Sequence, residues 1–190
     1  LIPSGKTFDI GGDLFPLLVQ QGRPFFAQRR FFNWIDIGKV TDYWVVLQKV
    51  MQGEVADFNI PGREIRPGVW AGLNTSVDWE GTTIEGPVYI GSGCTIEAGA
   101  TIIGPTWIGH GSRIRAGGRV SRSVLFEYTC VEPASDLQDA IICGNYAVAR
   151  SGHTIHVEDA RAPRIWSDAR AEPEEDLLSR ELKALLRVAS

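Results

Sequence analysis

The chain has 190 residues, 44% hydrophobic and 22% charged, with a formal net charge of −4 and a pI near 5.4. That apolar content supports a packed core and excludes disorder, while the lack of a basic cluster interleaved with aromatics argues against nucleic acid as a partner. No apolar run reaches the ~18 residues that cross a bilayer, so no membrane partner is expected.

The sequence opens Leu1-Ile2-Pro3 without methionine and reads as a piece of something longer. Asp13 is expected to cap a helix through Leu14, Phe15, Leu17, Leu18 and Val19, with Pro16 in its first turn and an end near Gly22. Phe25-Phe26-Ala27-Gln28 and Phe31-Phe32-Asn33-Trp34-Ile35 read as two strands, a hairpin around Arg29 and Arg30. Gly38 breaks the second strand. Thr41 then caps a helix through Tyr43, Trp44, Leu47, Val50 and Met51 that Gly53 ends. An α-β-β-α unit of this size cannot bury so many aromatics alone. Residues 1–55 therefore read as the tail end of a larger α/β domain.

A different pattern follows. Stepping by six from Ile84 gives Ile90, Ile96, Ile102, Ile108, Ile114, Val120 and Phe126. Four places after the first seven stand Val88, Cys94, Ala100, Thr106, Ser112, Gly118 and Val124. Neither the helix period of about 3.6 nor the strand period of 2 produces this combination. A large aliphatic every sixth residue, with a small residue at the fifth place, is the hexapeptide repeat of a parallel β-helix. Each hexad is one short strand and one turn, so three hexads make a triangular coil and the aliphatics fill the prism. Gly86, Gly91, Gly93, Gly99, Gly104, Gly109, Gly111 and Gly117 are expected at corners, where left-handed backbone angles suit glycine. Backwards the ladder continues through Val77, Ala71 and Ile65 after one extra residue in the Asp78–Thr83 turn. Forwards the register slips, and Leu125, Val131 and Leu137 start a new six-step. Counting hexads gives about four coils, which would stack ~4.8 Å apart.

The three cysteines, Cys94, Cys130 and Cys143, lie among apolar or small-residue positions and show no zinc-ligand spacing. They are expected as buried free thiols, which suits a reducing cytoplasm.

Two resemblances meet in these residues. The hexads resemble the left-handed β-helix family, and that resemblance, not the period, supplies the hand. Phe8-Asp9-Ile10-Gly11-Gly12-Asp13-Leu14-Phe15-Pro16, Asn33-Trp34-Ile35-Asp36-Ile37-Gly38 and Asp42-Tyr43-Trp44 resemble the end of a sugar nucleotidyltransferase domain. With the hexads after them, residues 1–165 resemble the C-terminal part of the mannose-1-phosphate guanylyltransferase (GDP-mannose pyrophosphorylase) family. The family's glycine-rich nucleotide loop, its first metal-binding Asp and its E-K-P motif do not occur in this sequence. Lys39 stands where Thr is common.

The resemblance implies a sugar 1-phosphate and an NTP as substrates of the intact protein, GDP-mannose as the first product to consider, and Mg²⁺ as cofactor. It also implies that Asp36, in W-x-D-x-G, helps hold that ion. The chemistry needs it, because joining a sugar phosphate to a triphosphate crowds negative charges that a carboxylate-held Mg²⁺ neutralises. A turn-capping role for Asp36 stands beside this. This chain alone, lacking the nucleotide loop, is expected to be inactive.

A second reading is an acyltransferase built on the β-helix, with His110 of Ile108-Gly109-His110-Gly111 as general base. His110 is expected at a solvent-facing corner, and His153 and His156 past the coils. A third is a non-catalytic oligomerisation module. Trp70, Trp79, Trp107 and Tyr89 lie beside the inward aliphatics and are expected to be covered, by a subunit, a domain or the tail. Arg161–Pro163 and Ser167–Pro173 read as linker. Pro173-Glu174-Glu175-Asp176 then opens a helix with Leu177, Leu178, Leu182, Leu185 and Leu186 on one side, expected to pack on the prism.

The expected fold is thus mainly β. A left-handed parallel β-helix over residues 60–159 follows the tail end of an α/β nucleotidyltransferase domain over 1–55, and a linker and C-terminal helix occupy 160–190. Open strand edges and the aromatic flank point to a homo-oligomer formed through the coils.

Overall fold

The isoleucine ladder closes on itself. In the computed structural model, which describes residues 1–32, 34–157 and 164–171, three parallel walls stack into a β-solenoid of about four turns. The first wall holds Val69–Ala71, Val88–Ile90, Thr106–Ile108, Val124–Leu125 and Ala140–Cys143. The second holds Ser76–Val77, Thr95–Ile96, Arg113–Ile114 and Thr129–Val131. The third holds Thr83–Glu85, Thr101–Ile103, Arg119–Ser121 and Asp136–Gln138.

Within each wall the register is that of the hexads: Ile84 lies beside Ile102, Ile90 beside Ile108, and Ile96 beside Ile114. Ile90, Ile102, Ile108, Ile114 and Val120 have no exposed surface, and the small-slot residues Val88, Cys94, Ala100, Thr106 and Ser112 are equally buried. A completely buried isoleucine contributes on the order of 2–3 kcal/mol, so this column is the main stabilising element.

The ladder breaks one residue earlier than the six-step suggests. Leu125 points inward with 0% exposure, whereas Phe126 turns outward against Tyr43 with ring centroids 5.8 Å apart. The cause is one corner. Ile103 pairs with Ser121 and Trp107 with Val124, so the corner that holds Gly104 and Pro105 in one coil holds Arg122 and no second residue in the next. At the other end, Ile65 lies on Arg63–Arg66, an exposed strand that pairs antiparallel with Val69–Ala71 and is not a coil. The extra residue of the Asp78–Thr83 turn is accommodated by Asp78, whose carboxylate accepts the Gly81 N–H at 2.9 Å.

The corner glycines divide into two kinds. Gly93, Gly99, Gly111 and Gly117 have φ between 64° and 76°, as expected. Gly86, Gly91, Gly104 and Gly109 do not. A Cβ there would strike the backbone of a neighbouring coil, for Gly109 at 2.6 Å from the Glu127 nitrogen and for Gly86 at 2.6 Å from the Gly68 carbonyl oxygen. These four serve close approach.

The solenoid ends are finished by antiparallel strands. Tyr146–Ala149 and Thr154–His156 extend the first wall, and Trp166–Asp168 pairs with Thr129–Val131. Ser167 and Asp168, expected in a linker, are therefore in a strand. The expected C-terminal helix and Arg161–Pro163 lie outside the described residues.

Leu1–Trp34 forms one compact unit and the chain from Ile35 another. In the first, Ile10–Leu14 makes a wide helical turn that runs into helix α1, Phe15–Gln20. The cap is Asp9, whose carboxylate accepts the Gly12 N–H, and Asp13 returns the contact by accepting the Asp9 N–H at 2.8 Å. Asp13 is thus not the cap. The expected hairpin is also absent: neither Phe25–Gln28 nor the described part of 31–35 forms a strand. A strand needs a partner for its N–H and C=O groups, and no described segment pairs with either.

In the second unit, helix α2 (Val40–Met51) starts at Lys39, not Thr41, because the Asp42 carboxylate accepts the Lys39 N–H at 3.0 Å. Gly53, at φ 75°, ends it. Its Trp44 packs with Val124 and Ile141 on the first wall, flanked by Tyr43, Leu47, Trp107 and Phe126. Two hydrogen bonds fix the helix: Trp44 Nε1 donates to the Arg122 carbonyl at 3.3 Å, and Gln48 Nε2 to the Pro105 carbonyl at 3.2 Å. Tyr89 is buried against Trp107, centroids 4.0 Å apart, so the aromatic flank is largely covered within the chain.

Candidate functional site

Asp36 sits in irregular backbone just before α2, between the exposed Ile35 and Ile37, and its side chain is solvent-exposed. The expected strand end is not there. Among the described residues no hydrogen bond or ion pair engages it, and no group of three His, Cys, Asp or Glu side chains could hold a metal ion. An exposed, unengaged carboxylate fits Mg²⁺ as one ligand of a larger set. That ion takes one or two carboxylates and completes its shell with water and phosphate. The described residues thus present Asp36 without a complete metal centre around it.

His110 is at an exposed corner, as expected. It borders an open groove of about 580 Å³ with Leu73, Trp79, Tyr89 and Ser92. Its Nδ1 accepts the Ser92 N–H at 3.0 Å. This bond fixes the neutral ring with its proton on Nε2, so the outward nitrogen has no lone pair to accept a substrate proton. A general base needs the opposite arrangement, a carboxylate or carbonyl holding Nδ1–H. The residue is legible in the sequence, whereas its bond to Ser92, 18 positions earlier, is not. His153 is exposed, and His156 stacks edge-on against Tyr146 at 4.8 Å.

The thiols separate. Cys94 has no exposed surface, and burial pushes its pKa up to about 11. Cys130 is also buried, but Cys143 is exposed, contrary to expectation, because it ends its strand at the turn into Tyr146–Ala149.

One charged feature went unread in the sequence. A concave face at the second wall, about 850 Å³, gathers Arg113, Arg115, Arg164 and Arg170. Arg115 lies 3.8 Å from Glu132 and Arg170 is paired to Asp168 at 2.7 Å. Arg113 and Arg164 have no carboxylate partner among the described residues. The signal was the alternation Arg113-Ile114-Arg115, which puts both arginines outside when the isoleucine is inside.

No protein-family model matches the chain. Over 169 residues, 89% of its length, the chain is 46% identical to UTP–glucose-1-phosphate uridylyltransferase of Synechocystis sp.. It spans 44% of that protein's length, corresponding to its C-terminal part.

Proposed function

We propose that this chain is the C-terminal part of a sugar-1-phosphate nucleotidyltransferase, which joins a sugar 1-phosphate and an NTP into an NDP-sugar and releases pyrophosphate. The observation that carries this reading is the 46% identity across 89% of the chain to a protein named for such a reaction. The exposed aromatics of residues 24–34 support it. Phe26, Phe31, Phe32 and Trp34 are each more than 70% exposed, as expected where the end of a larger domain has neighbours to pack on.

UTP and glucose 1-phosphate are the first substrates to test, because the relative's name carries them. GTP and mannose 1-phosphate rest on the motif resemblance and come second. In this reading Asp36 contributes one carboxylate to the Mg²⁺ that screens the phosphates, and the solenoid serves oligomerisation or regulation. The exposed free thiol of Cys143 suits a reducing compartment such as the cytoplasm.

The test is pyrophosphate release by the intact protein with UTP or GTP, each paired with glucose or mannose 1-phosphate in Mg²⁺. UTP with glucose 1-phosphate is expected to be fastest. No release with any pair, together with acetyl-CoA consumption that His110→Ala abolishes, would replace this reading with acyl transfer.

A further inference from the structure

The groove beside His110 is lined by one sign of charge. It lies where the Arg63–Arg66 strand folds back along Val69–Ala71, over the corner that carries Leu73, Ser92 and His110 in successive coils. Its lining holds one guanidinium, Arg63, and no Asp or Glu, in a chain of formal net charge −4. Arg63 is exposed and makes no hydrogen bond or ion pair among the described residues. Its backbone is held in place all the same. Arg63 pairs with Ala71, and Gly62 before it, at φ 86°, passes so close that a Cβ would meet the Ala71 carbonyl oxygen at 2.5 Å.

Tyr89 is the second mark. It is 3% exposed, with its ring against Trp107, yet no hydrogen bond among the described residues engages its hydroxyl. Buried hydroxyls are rarely left without a partner. Among the described residues Arg115 Nε is the one fully enclosed side-chain polar atom that has none, so the Tyr89 hydroxyl keeps an opening, and it lines the groove. Burial raises its pKa above the ordinary 10, so it stays an O–H donor at neutral pH. His110 adds its Nε2–H on the same groove, because Nδ1 is taken by the Ser92 N–H. Leu73, 78% exposed, and Trp79 supply apolar surface.

We propose that this groove binds a small organic anion, its phosphate or carboxylate oxygens on Arg63, Tyr89 and His110 and its apolar body against Leu73 and Trp79. An anion is favoured because each of the three polar groups offers a proton and the lining sets no carboxylate against it. An apolar body is favoured because a bare hydrated ion would leave Leu73 uncovered. The inference is independent of the catalytic reading.

Calorimetric titration of the full chain with phenyl phosphate and with benzoate tests it, benzyl alcohol being the uncharged control. At least one of the two anions is expected to bind about tenfold tighter than benzyl alcohol or better, and the tighter one identifies the head group. Arg63→Gln, at an exposed position, should weaken that binding about tenfold. Tyr89→Phe, which keeps the ring against Trp107, should weaken it about threefold or more. Arg113→Gln, on the arginine face, should leave it unchanged. Equal binding of the anions and benzyl alcohol overturns the proposal. So does anion binding that survives both groove substitutions, and its loss with Arg113→Gln would then put the ion on the arginine face.

Discussion

Arg122 and Asp139 occupy the same corner of successive coils, and their side chains close a two-point ion pair at 2.7 and 3.0 Å. Both have left-handed backbone angles, φ 45° and 50°. They mark the corner where the repeat loses a residue, and the Arg122 carbonyl receives the Trp44 indole that fastens α2. One position thus carries a turn, an ion pair and a helix contact.

Arg122→Gly and Arg122→Val separate two of these roles. Glycine loses the pair but keeps the backbone angle; valine loses the pair and resists a positive φ. The melting temperature is expected to fall more with valine, and equal melts would show that the corner backbone is unstrained.

The same pair sets an acid response. Hydrogen bonding to Arg122 holds the Asp139 carboxyl below its ordinary 3.8. A depressed folded-state pKa adds stability that is present above the ordinary value and lost as pH falls through the folded one. Arg122→Gly should therefore flatten the decline of melting temperature below about pH 4. An unchanged slope in that window would remove the pair from the acid response.

Ile102 has no exposed surface and lies between Ile84 and Val120. Ile102→Asp places a carboxylate where neither water nor a partner is available and should destabilise by on the order of 4 kcal/mol. A denaturant midpoint close to the parent's is the outcome that rejects the hexad register.

The thiols should titrate in two classes. Cys143 reacts with a disulfide reagent in the folded chain, while Cys94, buried and with its pKa raised to about 11, waits for unfolding. Fast reaction of Cys94 at pH 8 in the native protein would contradict its place in the wall.

The prism was legible because its determinant is local and periodic. Every coil repeats Ile96's problem of filling the same narrow interior, so the sequence repeats the solution. The slip at Leu125 was also readable, but its cause was not, because a one-residue corner at Arg122 shows only when neighbouring coils are aligned. Phe25–Gln28 and 31–35 carry strand-type residues, yet strands depend on partners that propensity does not reveal. The caps at Asp9 and Lys39 were displaced for a related reason: each is decided by a carboxylate three or four residues away. Asp36 stands out in the sequence by its motif alone, and the Ser92 N–H that His110 Nδ1 accepts comes from the preceding coil, which no local motif shows.

The most direct measurement of the proposal, in which Asp36 helps hold Mg²⁺ for nucleotidyl transfer by the intact protein, is the steady-state rate of pyrophosphate release by that protein carrying Asp36→Asn. The substitution keeps size and removes one negative charge. A fall in kcat of roughly 10²-fold or more is expected, with the melting temperature unchanged because an exposed carboxylate in irregular backbone is replaced by its near-isostere. Parental kcat at limiting Mg²⁺ would contradict the metal role of Asp36.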